Sequence, residues 1–150
     1  MSEAPSADLK AVEDAVREEI GFRLFTILAF RNDGREMERI HSSHPVEYPI
    51  GGRKDVGRDV AQDWLEASLV HQVPFFGRSV ADVQRIFKDA DLIATLGCGT
   101  IINAPILADG KTVATLNVLD AEGAYGDDDV DAVAAIANRF SAAIVTALKE

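Results

Sequence analysis

"GTIINAPILADGKTVATLNVLD", residues 99–120, carries the architecture of this chain. Two β-prone runs flank Asp109-Gly110, a dipeptide that tolerates the positive φ angles of a tight hairpin. Side chains alternate across a strand. Residues 98–107 therefore divide into Cys98, Thr100, Ile102, Ala104 and Ile106 on one face and Ile101, Asn103, Pro105 and Leu107 on the other. The partner strand sets Thr112, Ala114, Leu116 and Val118 against Val113, Thr115, Asn117 and Leu119. One face is small and apolar, suited to packing under helices. The other carries Asn103, Thr115 and Asn117. A type I turn with a bulge at Gly110 brings these three onto one face, and a strict two-residue loop does not. Once buried, their amides and hydroxyls must find partners. They either bond to nearby loop backbone or line a pocket and orient a polar ligand.

After this hairpin the chain is helical to its end. Asp127, Asp128 and Asp129 suit the positive N-terminus of that helix, and Val130, Val133, Ala137, Phe140, Ile144 and Leu148 form a long apolar stripe. At the other end, Ser6 is the expected N-cap of a helix with Leu9, Val12, Val16 and Ile20 at helical spacing, closed by Gly21. "FRLFTILAF" (22–30) is apolar on both faces and reads as a central strand. "RNDGR" (31–35) turns it into a partner strand, 36–43, on which Met37, Arg39, His41 and Ser43 share a face. That strand runs into the loop "HPVEYPIGGRK", 44–54. Residues 59–72 predict one helix with Val60, Trp64, Ala67 and His71 along a face. "VPFFG" is an apolar connection, and Ser79 with Asp82 resembles a capping box opening a short helix. Helix, strand pair, two helices, strand pair, helix implies an α+β fold with an antiparallel sheet, in one domain over 1–150.

The chain carries a net charge of −10 and one cysteine. Nucleic acid and an anionic membrane surface are disfavoured partners. No apolar run approaches the ~20 residues that span a bilayer, and the N-terminal ten residues lack the basic and apolar regions of a secretory signal. A single thiol excludes an internal disulfide, so a cytoplasmic location is expected.

The segment "LGCGTIINAPILADGKTVATLNVLDAEGAYGDDDVDAVAAIANRFSAAI" resembles the GAF domain family: a small-residue strand, a Pro-Ile step, a Gly-Lys turn, a "GvLnl"-like strand, an acidic loop and a closing helix. Ala114 stands where many members have glycine. The resemblance extends over roughly residues 5–149. It implies an antiparallel sheet with the N- and C-terminal helices on one face and a ligand pocket under helices and loops on the other. Members bind cyclic nucleotides, haem, bilins, flavins, amino acids or other small molecules, and many dimerise through their terminal helices. A small-molecule-binding sensor acting as a free-standing protein is the function implied, with a homodimer through the terminal helices. The alternative is a small cytoplasmic enzyme using the same pocket, with Cys98 or His41 and Arg39 carrying the chemistry.

On that reading the expected ligand contacts are Arg39, His41, Tyr48, Trp64, Phe75, Asn103, Thr115 and Asn117. Arg39, His41 and Tyr48 supply charge, donors and stacking area for an anionic or aromatic compound. The lone Cys98 lacks the resolving thiol of a free methionine sulfoxide reductase. The Asn-Lys-x-x-Phe-Asp-Glu constellation of cyclic-nucleotide GAF domains is absent, and Cys98 is followed by glycine rather than the histidine common at bilin sites. Cys98 has no evident activator and reads as an inert wall residue, placed by alternation under the terminal helices. His41 and His44 sit three apart on strand-like sequence and make a poor metal pair. His71 reads as a partly buried histidine beside Trp64 rather than a haem ligand. "GGRK" lacks the spacing of a phosphate loop, although Arg53 or Lys54 would attract an acidic ligand at the rim. No cofactor is assigned.

Overall fold

A computed structural model describes residues 4–88 and 90–149. Residues 1–3, part of the stretch read as lacking a secretory signal, lie outside the described residues. The sheet has six strands in the order β3-β2-β1-β6-β5-β4, and every neighbouring pair is antiparallel. The long hairpins are β1 (Leu24–Arg31) with β2 (Glu36–Ser42) and β5 (Thr100–Ala108) with β6 (Lys111–Asp120). Short edge strands β3 (Arg53–Asp55) and β4 (Phe75–Gly77) complete it. The α+β architecture is the one the pattern implied.

Both faces of the sheet are apolar, and each makes its own core. Phe25, Ile27, Ile102, Ala104, Ile106, Ala114, Leu116 and Val118 pack against α1 (Ala4–Glu19), α6 (Asp127–Arg139) and α7 (Ser141–Leu148). Leu24, Leu28, Met37, Ile101 and Leu119 face the opposite way. They are covered by the short helices α2 (Val56–Asp59), α3 (Gln62–Leu65), α4 (Val80–Ile86) and α5 (Ala90–Thr95) with their connecting loops. Leu9, Val12 and Val16 are at most 1% exposed within one chain, so the stripe offered to a second copy is covered by the chain's own core.

Several local readings are corrected. The loop at Asp109 (φ 53°) and Gly110 (φ 77°) is a two-residue turn between Ala108 and Lys111, with positive φ at both positions, not a bulged type I turn. Asn103, Thr115 and Asn117 still share a face because a register shift at Val113 takes the place of the expected bulge. Ile106 pairs with Ala114 and Leu107 with Thr112, which throws Thr112 to the other side, where its hydroxyl donates to Ser68 O at 2.6 Å.

Residues 59–72 are not one helix. Val60 is extended and bridges Phe87, and Ala61 N–H donates to Ile86 O at 3.0 Å. This short pairing breaks the helix before Gln62. After α3 the chain widens into a π-helical turn, Glu66–His71, that leaves His71 exposed rather than partly buried beside Trp64. "VPFFG" supplies edge strand β4, pinned where Thr100 Oγ1 donates to Gly77 O at 2.8 Å. The closing helix bends by 58° between α6 and α7. α1 starts at Ala4, ahead of the expected Ser6 cap. The Ser79 cap holds: its side chain accepts from Asp82 N–H, while Asp82 reaches back to Arg78 N–H at 2.9 Å. No single helix among the described residues is long and apolar enough to cross a membrane.

Candidate functional site

The face of the sheet opposite the terminal helices holds a partly open cavity of about 30 Å³, room for roughly one or two water-sized groups. Its wall is apolar: Leu24 and Leu28 from β1, Ile101 from β5, Leu119 from β6, with Phe87 and Ile93 as roof. Arg39, Tyr48 and Lys54 close one side.

The floor is a line of polar side chains crossing three strands. Trp64 Nε1 donates to Asn103 Oδ1 at 2.9 Å, Asn103 Nδ2 donates to Asn117 Oδ1 at 2.6 Å, and Asn117 Nδ2 donates to Thr26 Oγ1 at 3.1 Å. Each group satisfies the next, so the two asparagines bond to one another rather than to loop backbone. The line also fixes both amide orientations, because reversing either would set donor against donor. Asn103→Leu strands the Trp64 N–H and the Asn117 carbonyl oxygen together. Asn117→Leu strands the Asn103 NH₂. Each change is expected to cost about 1–3 kcal/mol in chemical denaturation. A loss below about 0.5 kcal/mol in both would show that the line is not structural.

Arg39 and His41 do not share a face. A register shift in the β1–β2 pair puts His41 opposite Ile27 but Arg39 opposite Leu28, with Ile40 as the extra residue. Arg39 therefore lines the cavity, while His41 points to the helical face. There His41 Nε2 lies 2.7 Å from Glu13 Oε1 of α1, and its ring meets Phe25 edge-on. His41 is removed from the candidate ligand contacts for this reason.

The stretch after β2 wraps the Arg39 side chain. Arg39 N–H donates to Gly52 O at 2.8 Å, Gly51 N–H returns to Arg39 O at 2.7 Å, and Arg39 Nη1 donates to Pro49 O at 3.1 Å. The guanidinium lies 4.8 Å from the centre of the Tyr48 ring. A Cβ at Gly52 would come within 2.6 Å of Arg39 Nη1, so glycine here permits the close approach of loop to guanidinium.

Cys98 belongs to the cavity-side core with Leu24, Ile101 and Leu119, not under the terminal helices. It precedes β5, between Gly97 and Gly99, and strand alternation does not extend into that loop. Burial, aided by the nearby Asp120 carboxylate and opposed by Arg23, pushes its thiol up to about 11. The thiol is protonated at neutral pH and a poor nucleophile. Cys98, His41 and Arg39 thus fail to converge on one reacting point.

Of the expected contacts, Arg39, Tyr48, Asn103 and Asn117 line the cavity. Trp64, fully buried, stands behind Asn103 and holds it. Phe75 pairs with Asn103 across β4–β5 and packs at the margin of the same core. Thr115 shares the face but lies beyond the cavity, its hydroxyl buried without a hydrogen-bond partner among the described residues. Sequence reasoning missed Thr26 and Phe87, and it read Lys54 only as a base at the rim. Thr26 had a visible signal, a hydroxyl in the middle of an otherwise apolar strand.

Known proteins share this fold. The family model described as "GAF domain" matches residues 9–145. The GAF domain of a two-component sensor histidine kinase from Bacillus halodurans superposes with a TM-score of 0.70 at 19% identity, covering 94% of this chain and 93% of that one. A GAF domain/HD domain protein from Geobacter sulfurreducens gives 0.75 at 8% identity, over 100% and 99%. The type II free methionine-R-sulfoxide reductase from Thermoplasma acidophilum gives 0.67 at 10% identity, over 95% and 94%. No curated protein matches in sequence. The fold is that of the GAF class of α+β domains. The chain belongs to the GAF domain family.

Proposed function

We propose that this GAF domain is a sensor module that binds a small molecule in the cavity between the sheet and the α2–α5 cover. The observation that carries the reading is the partly open apolar cavity with a fixed amide floor and a charged side. That is the composition of a ligand site, where a few placed polar groups orient a mainly apolar body. A binding role is favoured over catalysis because the thiol is held protonated and His41 is on the far face of the sheet. Ligand state would be read out through α1, α6 and α7, which cover the opposite face. Pairing of two copies along these helices is part of the proposal, supported by the exposed small residues Ala11, Ala135 and Ala142. A cytoplasmic setting accords with the free thiol of Cys98.

Trp64 is the only tryptophan, and its indole bonds directly to the cavity floor, so its emission is a built-in reporter. A set of small aliphatic acids, amides, alcohols and amino acids is expected to contain compounds that raise the melting temperature and change Trp64 emission together. Leu24→Phe, which fills the cavity, is expected to abolish both responses while the protein stays folded. Unchanged responses in Leu24→Phe, or no responding compound, would overturn the reading.

A further inference from the structure

The cavity side of the sheet is laid out in successive rows across β5, β6 and β1. Ile101, Leu119 and Leu24 make an apolar row, Asn103, Asn117 and Thr26 the amide row, and Pro105, Thr115 and Leu28 the next. The first two rows and Leu28 of the third line the cavity. Thr115 is the cross-strand partner of Leu28, so its side chain stands beside the cavity wall.

The π-helical turn Glu66–His71 packs on β5 and β6 at this level. Two contacts fix it there. Trp64, just before the turn, holds Asn103, and Ser68 O accepts from Thr112 Oγ1 at 2.6 Å. Thr115 lies between these two anchors, on the same side of β6 as Thr112. Ser68 is 1% exposed and Thr115 0%, and neither hydroxyl has a hydrogen-bond partner among the described residues. Val70, two residues after Ser68, is 70% exposed. The turn therefore buries a serine and exposes a valine, the reverse of what apolar burial alone selects. An unpartnered buried hydroxyl costs stability. Two of them, under a kind of widened turn that is frequent at functional sites, mark a place suited to a hydrogen-bonding guest.

We infer that the ligand carries a neutral polar head, a hydroxyl or a carboxamide, bonded by Ser68 and Thr115, with its short apolar body passing Leu28 into the cavity. This rests on the binding reading above and adds the chemical class. Each hydroxyl can both donate and accept, so the pair can satisfy a neutral group from either side. It supplies no charge, so an ionised head would be buried there at a much higher cost. The cavity admits only a few atoms and its walls are hydrocarbon, so the body is short and apolar.

Trp64 emission is to be followed while 1-propanol, propionamide, propionate and 1-chloropropane are titrated into wild type, Thr115→Val and Ser68→Ala. The alcohol and the amide are expected to bind wild type about fivefold or more tightly than the other two. Each substitution is expected to erase most of that preference and to leave 1-chloropropane binding as before. The free variants are expected to melt at or above the wild-type temperature, because each loses a hydroxyl that lacks a partner. Melting temperatures lower by more than about 3 °C in both variants would show that the hydroxyls are already satisfied in the free protein, for instance by a fixed water, and would overturn the inference. Propionate binding as tightly as propionamide, or unchanged preference in both variants, would overturn the neutral head and leave the small-molecule reading standing. No response to any of the four, in a protein that also ignores the wider compound set, would overturn both.

Discussion

Trp64→Ala is expected to lower folding stability by about 3–5 kcal/mol, the usual cost of removing a large buried aromatic side chain. Trp64 is 0% exposed, meets Phe87 edge-on at 5.9 Å and donates to Asn103. Truncation therefore opens a void and strands the first acceptor of the floor. Trp64→Phe separates the two effects. It keeps much of the aromatic packing while removing the N–H and part of the ring, and is expected to cost about 1–3 kcal/mol, less than the truncation to alanine. Urea denaturation followed by far-ultraviolet circular dichroism measures both, since the fluorescent reporter is lost. A cost below about 1 kcal/mol for Trp64→Ala would show that α3 and the π-helical turn are loosely attached to the sheet.

Glu13→Gln is expected to cost about 1–3 kcal/mol at neutral pH, and to do so in a pH-dependent way. Burial pushes the Glu13 carboxyl up, but hydrogen bonds from His41 and from Arg17 (2.7 Å) outweigh it and hold the group below its ordinary 4.5. A carboxyl lowered in the folded state adds stability above its unfolded value, and that contribution fades as pH falls through the folded value. The melting temperatures of wild type and Glu13→Gln are therefore expected to differ at pH 7 and to converge as pH drops below about 4.5. A constant gap across that range would mean the carboxylate charge contributes nothing there.

The architecture was legible because long periodic segments speak for themselves. The β5–β6 hairpin, β1 and the closing helix carry apolar patterns that only one packing satisfies. The asparagine face was legible too, although its stated cause was wrong: the bulge sits at Val113, where nothing in "TVAT" announces it. The same kind of event decided His41. One extra residue at Ile40 reverses the face of everything after it, and a register shift between two strands is a property of the pair, not of either sequence. The segment 59–77 was misread for another reason. Val60 and Ala61 leave the helix because Ile86 and Phe87, far along the chain, offer backbone partners, and such long-range pairing overrides local periodicity. Lys54 was seen as a base at a rim, but its place at the cavity depends on β3 pairing with β2 beside Met37.

The shift at Ile40 gives β2 two audiences. Arg39 lines the cavity on one face of the sheet, and His41 meets Glu13 of α1 on the other. Between them lies one residue. Two peptide bonds therefore separate the side chain that lines the cavity from the one that hydrogen-bonds the first helix of the opposite layer, a step made inside a single strand rather than through the thickness of the sheet.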